Sequence, residues 1–156
     1  KIDGYRIDST PGIPVRDGMK ICFHTMSLPT ARLVWHTPYI VLFHSPDRIP
    51  EGDGYKEYAL IRLDGENWED GDLAGNKTIV NMSDDFMGWD AWKEENKKGF
   101  DCTVSFKRDG NKIVTTTDNL GIALNVTTTI VNDVFDVYVS LTGDQCALTN
   151  IRIIND

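Results

Sequence analysis

Alternation of apolar and polar residues runs through the second half of the chain and most constrains its fold. From residue 100 to 108, every second side chain is apolar, as in a β-strand with one buried face. Asp109-Gly110 then supplies the residues of a type I′ hairpin turn, and residues 112–117 form the return strand. The same alternation recurs over residues 121–131 and 135–141. The pattern predicts consecutive antiparallel strands.

The first half of the chain carries less regular strand signals, separated by loops that contain proline and glycine. Together with the second half they predict roughly ten short strands, which is typical of two packed antiparallel sheets. We therefore expect an all-β fold, a β-sandwich or jelly roll. The earlier strands and the closing one are predicted at residues 19–26, 33–35, 39–44, 58–64, 78–82 and 145–154.

One helix is predicted, over residues 85–97. Asp84 or Asp85 is placed to cap its first turn, lysines suit its negative end, and Gly99 would stop it. Trp89 and Trp92 lie three residues apart on this helix, with Phe86 on the same face. We expect Trp92 to be the structural residue of this group, pinning the helix to the sandwich.

Length and charge limit the class of protein. A chain of 156 residues is about the size of one domain, so residues 1–156 are predicted to form one unit. The net charge of −8 argues against nucleic acid and anionic membranes as partners. No apolar stretch approaches the roughly 20 residues of a membrane span. The chain starts at Lys1 without a signal-like segment, which predicts a processed product or a module of a larger polypeptide.

The three cysteines show no C-x-x-C spacing. Cys22, Cys102 and Cys146 each alternate with apolar residues in a strand-like run, which favours buried free thiols over one disulfide and a leftover cysteine. Neither a zinc site nor a disulfide framework is indicated. The three histidines likewise lack the helical spacing of a zinc pair.

Tryptophans in polar surroundings are the main functional signal. Trp68 and Trp89 lie among acids, glycines and asparagines, and Trp35 precedes Pro38 at a strand end. Flat rings beside carboxylate and amide groups suit a sugar, whose C–H face lies on the ring while its hydroxyls meet the polar groups. These three tryptophans are predicted to be stacking platforms.

Acidic residues between 66 and 72 allow two interpretations. Glu66, Glu69, Asp70 and Asp72 could form a solvated turn, or they could supply oxygens to a calcium ion. The match to known calcium loops is poor, so no cofactor is predicted beyond this one possible structural calcium. The chain also lacks a Gly-x-Ser-x-Gly elbow and a strand that would aim two carboxylates into one cleft, which argues against a hydrolase.

Several segments resemble non-catalytic carbohydrate-binding modules of bacterial plant-cell-wall hydrolases, particularly the β-glucan- and xyloglucan-binding modules of family sixty-five. The similar segments span residues 33–154. They include Trp35-His36-Thr37-Pro38 running into a strand, residues 58–64 with a tryptophan soon after, and Trp89-Asp90-Ala91-Trp92, similar to a Trp-Asp-x-Phe motif. Where such modules often carry Asn-Tyr-Gly-Trp, this chain has Gly65-Glu66-Asn67-Trp68, and residues 1–30 match no family.

The resemblance implies a secreted or extracellular β-sandwich that binds a plant β-glucan without catalysis, as a monomeric unit covalently linked to a hydrolase. We expect Asn67, Asp64 and Arg62 to be hydrogen-bonding neighbours of the stacked rings, with Tyr39 and Tyr58 as secondary contacts. Two alternatives remain: a jelly-roll β-glucan hydrolase that uses acids of the 66–72 loop, and a protein-interaction or adhesion domain.

Overall fold

Two antiparallel sheets face each other across one hydrophobic core in the computed structural model, which describes residues 1–50, 53–67, 71–132 and 136–155. Within these ranges the smaller sheet has the strand order β1-β9-β3-β4, and the larger has the order β10-β2-β6-β7-β8-β5. This arrangement confirms the predicted β-sandwich with one short helix. The elements are β1 Ile13–Pro14, β2 Lys20–Ser27, β3 Pro38–His44, β4 Lys56–Arg62, β5 Ala74–Met82, α1 Trp89–Lys98, β6 Phe100–Asp109, β7 Lys112–Asn119, β8 Ile122–Ile130, β9 Tyr138–Gly143 and β10 Cys146–Ile154.

The predicted hairpin forms as the alternation indicates. Asp109 of β6 pairs with Lys112 of β7, and Gly110 adopts a positive φ of 61°, which the turn requires. Along most of β6, β7 and β8, every second residue faces the core and is buried, and the residues between them form the open outer face of the larger sheet. In β6 and β8 the buried positions are mostly apolar, whereas in β7 Ile113 is followed by buried Thr115, Thr117 and Asn119. Residues 133–135, the last of which begins the predicted strand 135–141, lie outside the described residues.

The smaller sheet is covered on both of its faces. In β3, six of the seven residues are buried, so no alternation of exposure is visible. Ile40 and Leu42 belong to the main core between the sheets, while Val41, Phe43 and Tyr138 form a second hydrophobic cluster on the outer face. A strand buried on both faces needs a covering layer beyond its own sheet.

The N-terminal segment, residues 2–15, supplies that layer. Its backbone N–H groups at Arg6, Thr10 and Val15 donate to β9 or its neighbouring residues, with N···O distances of 2.8–2.9 Å. The segment therefore follows the free edge of β9, and only β1 is regular enough to be a strand. Its side chains reach across the outer face of the smaller sheet.

The helix begins later than predicted. Gly88 precedes it with φ of 100° and no side chain caps it, so the expected caps at Asp84 and Asp85 are wrong. Asp85 instead lies in a turn, where its backbone N–H donates to the Ser83 hydroxyl at 3.2 Å. Gly99 ends the helix as predicted, and Trp92 is 2% exposed, which confirms its structural role.

Residues 33–35, predicted as a strand, form part of a turn. The backbone N–H groups of Arg32 and Leu33 donate to Nδ1 of His36 at 2.9 and 3.2 Å. Because the His36 side chain accepts these backbone N–H groups, the segment stays in a turn and does not form a strand.

The cysteines agree with the predicted free thiols. All three lie within the described ranges and none forms a disulfide; Cys102 and Cys146 are buried, and Cys22 is half-buried. Burial raises the pKa of both buried thiols to about 12. Among the described residues, no helix is long and apolar enough to cross a bilayer.

Strand β10 is an edge strand with an irregularity. Its register against β2 shifts between Thr149 and Arg152, and Asn150 there has a positive φ of 56°. Its carboxyl-terminal part exposes large apolar side chains at Ile151, Ile153 and Ile154. A bulge of this kind bends the strand locally.

Candidate functional site

Arg62, at the end of β4, organises a polar cluster on the outer face of the smaller sheet. Its guanidinium donates to both carboxylate oxygens of Asp64, at 3.1 and 2.6 Å, and to Glu66 at 3.1 Å. The Asp64 side chain is 2% exposed and that of Glu66 is largely open to solvent. Two carboxylates of different exposure thus share one fixed cation.

The local chain explains why these groups meet. Asn67 accepts the backbone N–H of Arg62 at 2.6 Å, and Asp64 accepts that of Glu66 at 3.1 Å. Gly65 makes the turn possible with a φ of 87°, and a Cβ there would lie 2.7 Å from Val80. The 62–67 turn is therefore held by its own side chains.

The charge of Arg62 is maintained by its partners. Burial alone would lower the pKa of the guanidinium, but the hydrogen bonds and charge of Asp64 outweigh it, so the pKa of Arg62 is raised. A fixed guanidinium with free donor capacity can hydrogen-bond neutral hydroxyl oxygens.

Trp35 lies beside this cluster. The Arg62 guanidinium carbon is 5.8 Å from the centre of the Trp35 ring, and 38% of Trp35 remains exposed. The Trp35 carbonyl accepts the Tyr39 hydroxyl at 2.7 Å, and its ring meets His36 edge-on at 6.3 Å. The exposed indole is thus held from two sides at the rim of the polar cluster.

Tyr39 and Tyr58 are the predicted secondary contacts. Both are buried, so neither offers an open ring for a sugar. Tyr58 belongs to the main core between the sheets. Tyr39 packs under Tyr5, and its hydroxyl donates a hydrogen bond to the Trp35 carbonyl. Its ring is buried because the seven-residue strand β3 is covered on both faces. Neither ring is an exposed platform, but Tyr58 lines a groove together with Tyr5 and Arg6, so the role of the two tyrosines as secondary contacts stays a prediction.

Trp89 is exposed, but its described ring contacts belong to a different group. It meets Phe86 edge-on at 4.9 Å and Trp92 at 5.6 Å. The helix that carries it lies at the same end of the sandwich as Trp35, and Lys93 of that helix donates to the Arg32 carbonyl at 3.4 Å. The described contacts therefore bring together Trp35, Arg62, Asp64 and Asn67, whereas those of the Trp89 ring are with Phe86 and Trp92. Trp68, directly after Asn67, lies outside the described residues.

Tyr5 is an exposed aromatic residue that the sequence reasoning missed. It is 58% exposed and meets the buried Tyr39 ring edge-on, with 5.8 Å between ring centres. The signal was present in Gly4-Tyr5-Arg6, an aromatic ring between a glycine and a charge, as around the chosen tryptophans. Its position depends on the pairing of the N-terminal segment with β9, which local sequence does not reveal.

Catalytic and metal chemistry find limited support in the described residues. Asp64 accepts from the Arg62 guanidinium with both carboxylate oxygens, whereas Glu66 accepts with one and remains largely exposed. Among residues 1–50, 53–67, 71–132 and 136–155, no group of three or more His, Cys, Asp or Glu side chains could hold a metal ion. Glu69 and Asp70 lie outside these ranges, so the calcium site stays a prediction.

A second surface lies on the outer face of the larger sheet. A groove of 480 Å³ crosses its central strands, and no aromatic ring lines it. Its lining combines Ala123 and Leu124 with polar residues: Asn81, Thr103, Ser105, Thr116, Thr117, Asp118 and Asn125. This groove offers hydroxyl and amide groups without a stacking platform.

No protein-family model matches the sequence, and no curated protein matches it. Solved structures similar to the chain include congerin II liganded with lactose and MES, and a single mutant of congerin II. Each is 14% identical, with a TM-score of 0.44 and coverage of 94% of this chain and 98% of that chain. The predicted β-sandwich is confirmed by the fold itself, while the resemblance to family sixty-five remains an expectation.

Proposed function

We propose that the chain is a non-catalytic carbohydrate-binding domain whose binding surface is built on Trp35 and the Arg62 cluster. The observation that supports this most is an exposed indole held beside a guanidinium that Asp64 fixes with two hydrogen bonds. A sugar ring can cover the indole with its C–H face and direct its hydroxyls to Arg62 and Glu66.

The ligand that we propose is a neutral β-linked plant cell-wall glucan, such as xyloglucan or mixed-linkage β-glucan. The net charge of −8 disfavours anionic polymers, and the resemblance of residues 33–154 to glucan-binding modules favours this class. On the same basis we propose an extracellular, monomeric domain that targets an attached hydrolase to its substrate. Trp68 and Trp89 remain proposed as further stacking residues.

The magnitude of one stacking contact sets the expected affinity. Covering one face of a tryptophan removes on the order of 100 Å² of apolar surface from water, which stabilises the complex by about 2 kcal/mol before losses. One or two such rings, offset by immobilisation of a flexible glycan, correspond to micromolar to millimolar dissociation constants.

Calorimetry with xyloglucan and mixed-linkage β-glucan tests the proposal. Trp35→Ala should weaken binding about tenfold or more, since it removes the platform, and should leave the fold intact because the ring is at the surface. Asn125→Ala, in the groove of the larger sheet, is the control and should bind like wild type.

Three outcomes would contradict the proposal. Wild-type protein that binds no glycan would remove the function, and a loss confined to Asn125→Ala would move the site to the larger sheet. Sustained release of reducing ends from the same polysaccharides, abolished in Glu66→Gln, would identify a hydrolase.

A further inference from the structure

We infer that the glycan site continues from Trp35 along the outer face of β4 into a groove beneath Tyr5 and Arg6, so that it binds an internal stretch of a polysaccharide. This inference rests on the proposed function and extends it to the length of the ligand. The groove has a volume of 450 Å³, and its lining includes Tyr5, Arg6, Glu57, Leu60, Asp72 and Asn76.

Tyr39 connects the two parts of this surface. Its ring packs under the exposed Tyr5 ring, its hydroxyl bonds to the Trp35 carbonyl, and its strand position pairs with Arg62. Tyr39 therefore contacts the ring of Tyr5 and the backbone of Trp35, the two residues that carry the exposed rings. A second platform beside the first is what a chain of several sugars requires, because each ring supports a separate unit.

The far part of the groove repeats the chemistry of the Arg62 cluster. Arg6 of the N-terminal segment forms an ion pair with Glu57 of β4, and Glu57 also accepts the Tyr55 hydroxyl at 2.6 Å. The Arg6 side chain is mostly buried, so the guanidinium is fixed rather than mobile. Each ring thus has a held guanidinium near it: Arg62 beside Trp35, and Arg6 next to Tyr5 in sequence.

The distance between these two cation clusters indicates the length of the ligand. Glu57 and Arg62 are five residues apart on one strand, and Leu60 between them lies on the same outer face. A bulge in β4 leaves Tyr58 unpaired, so Glu57 and Arg62 pair with Phe43 and Tyr39, which are four residues apart on β3. At the rise of a β-strand this separation is roughly 14 Å, enough for about three sugar units. A site that recognises only a chain end would not need a surface of this length.

A ladder of β-1,4-linked gluco-oligosaccharides of two to six units tests the inference by calorimetry. We expect affinity to rise with length up to about three units and then to level off. Tyr5→Ala should lower affinity for the six-unit ligand about tenfold and leave the two-unit ligand nearly unchanged, while Tyr5→Phe should retain binding because it keeps the ring.

Ile7→Ala is the matched control. Ile7 belongs to the same segment, is more exposed than Tyr5, and lines a different groove beside β9. It should bind all oligosaccharides like wild type, and thermal melts of each variant exclude loss of fold.

The failure of this inference differs from the failure of the proposed function. Equal affinity for all lengths, or a folded Tyr5→Ala that binds the six-unit ligand like wild type while Trp35→Ala does not, would overturn the extended site alone. A wild-type protein that binds neither oligosaccharides nor polysaccharides would overturn both.

Discussion

The outer faces of the two sheets differ in what covers them. The central strands of the larger sheet turn threonine, serine and asparagine side chains to solvent across an open groove. The edge strands of the same sheet, β5 and β10, also expose apolar side chains such as Ile79 and Ile153. The smaller sheet turns large aromatic side chains outward, and the N-terminal segment shields them, so that Phe43 on an outward position is fully buried. Trp35 and Arg62 lie at the rim of this covered region, whereas Tyr5 and Arg6 belong to the covering segment itself.

The comparison shows that an outward position on a strand does not define a surface residue. Residues 2–15 cover the outer face of the smaller sheet, and the apolar side chains beneath them form a second hydrophobic cluster. The candidate site lies at the rim of this cluster. The uncovered sheet keeps polar groups that water satisfies without help. The exposed rings of Tyr5 and Trp35 and the open array of hydroxyl groups therefore lie on opposite faces of the sandwich.

The largest expected difference between the faces is in stability. Phe43→Ala should lower the free energy of unfolding by about 3–5 kcal/mol, because it opens a cavity between the smaller sheet and its cover. Thr116→Ala, on the outer face of the larger sheet, should change it by about 1 kcal/mol at most. Urea denaturation measures both, and similar losses for the two variants would show that the faces are not covered differently.

The loss of stability when an ion pair is removed should differ less between the two faces. Arg62→Met leaves the buried Asp64 carboxylate without its partner and should cost about 3 kcal/mol. Asp101→Asn removes the pair with His24 on the larger sheet, where the Asp101 side chain is 85% exposed, and should cost under about 1 kcal/mol. Denaturation at constant ionic strength compares them; an Arg62→Met protein as stable as wild type would mean that the cluster is not held as the geometry indicates.

The pH dependence of stability should also come from the covered face. All five tyrosines lie in the smaller sheet, in the segment before β4 or in the N-terminal segment. Burial raises the pKa of Tyr39, helped by the charge of Asp144, and burial raises the pKa of Tyr55, helped by its hydrogen bond to Glu57.

The sign of this effect follows from the raised pKa values. The folded state keeps these phenol protons at a pH where the unfolded chain loses them, so stability that is present below about pH 10 is lost as the pH rises further. We expect a shallower decline in Tyr55→Phe than in wild type, measured by denaturation between about pH 9 and 11. Identical slopes would indicate that Tyr55 ionises equally well in both states.

Sequence patterns predicted the elements that depend on local order. The β6–β7 hairpin followed from alternation and Asp109-Gly110, and Arg62, Asp64 and Asn67 were selected from a six-residue turn whose contacts are internal. Trp35 joins that cluster because β3 and β4 are neighbours in both sequence and space.

Features that depend on distant pairing were not predictable in the same way. The apolar run of β3 indicates burial but not which layer covers its second face. The sequence therefore predicts Tyr39 as a secondary ligand contact and does not reveal that Tyr5 packs over it. The exposed position of Tyr5 was not predicted because its segment pairs with β9, more than 130 residues away in the chain. The supposed strand at residues 33–35 failed because the His36 ring, rather than a neighbouring strand, satisfies the nearby backbone donors.

The irregular edge of β10 has a consequence for association between copies. An apolar edge strand with free backbone groups is a template for another strand, and unprotected edges of this kind promote aggregation. The register shift between Thr149 and Arg152, with Asn150 in a left-handed conformation, interrupts the straight ladder that a joining strand would need. The isoleucines of this edge can therefore remain exposed without offering a continuous surface for growth into fibrils.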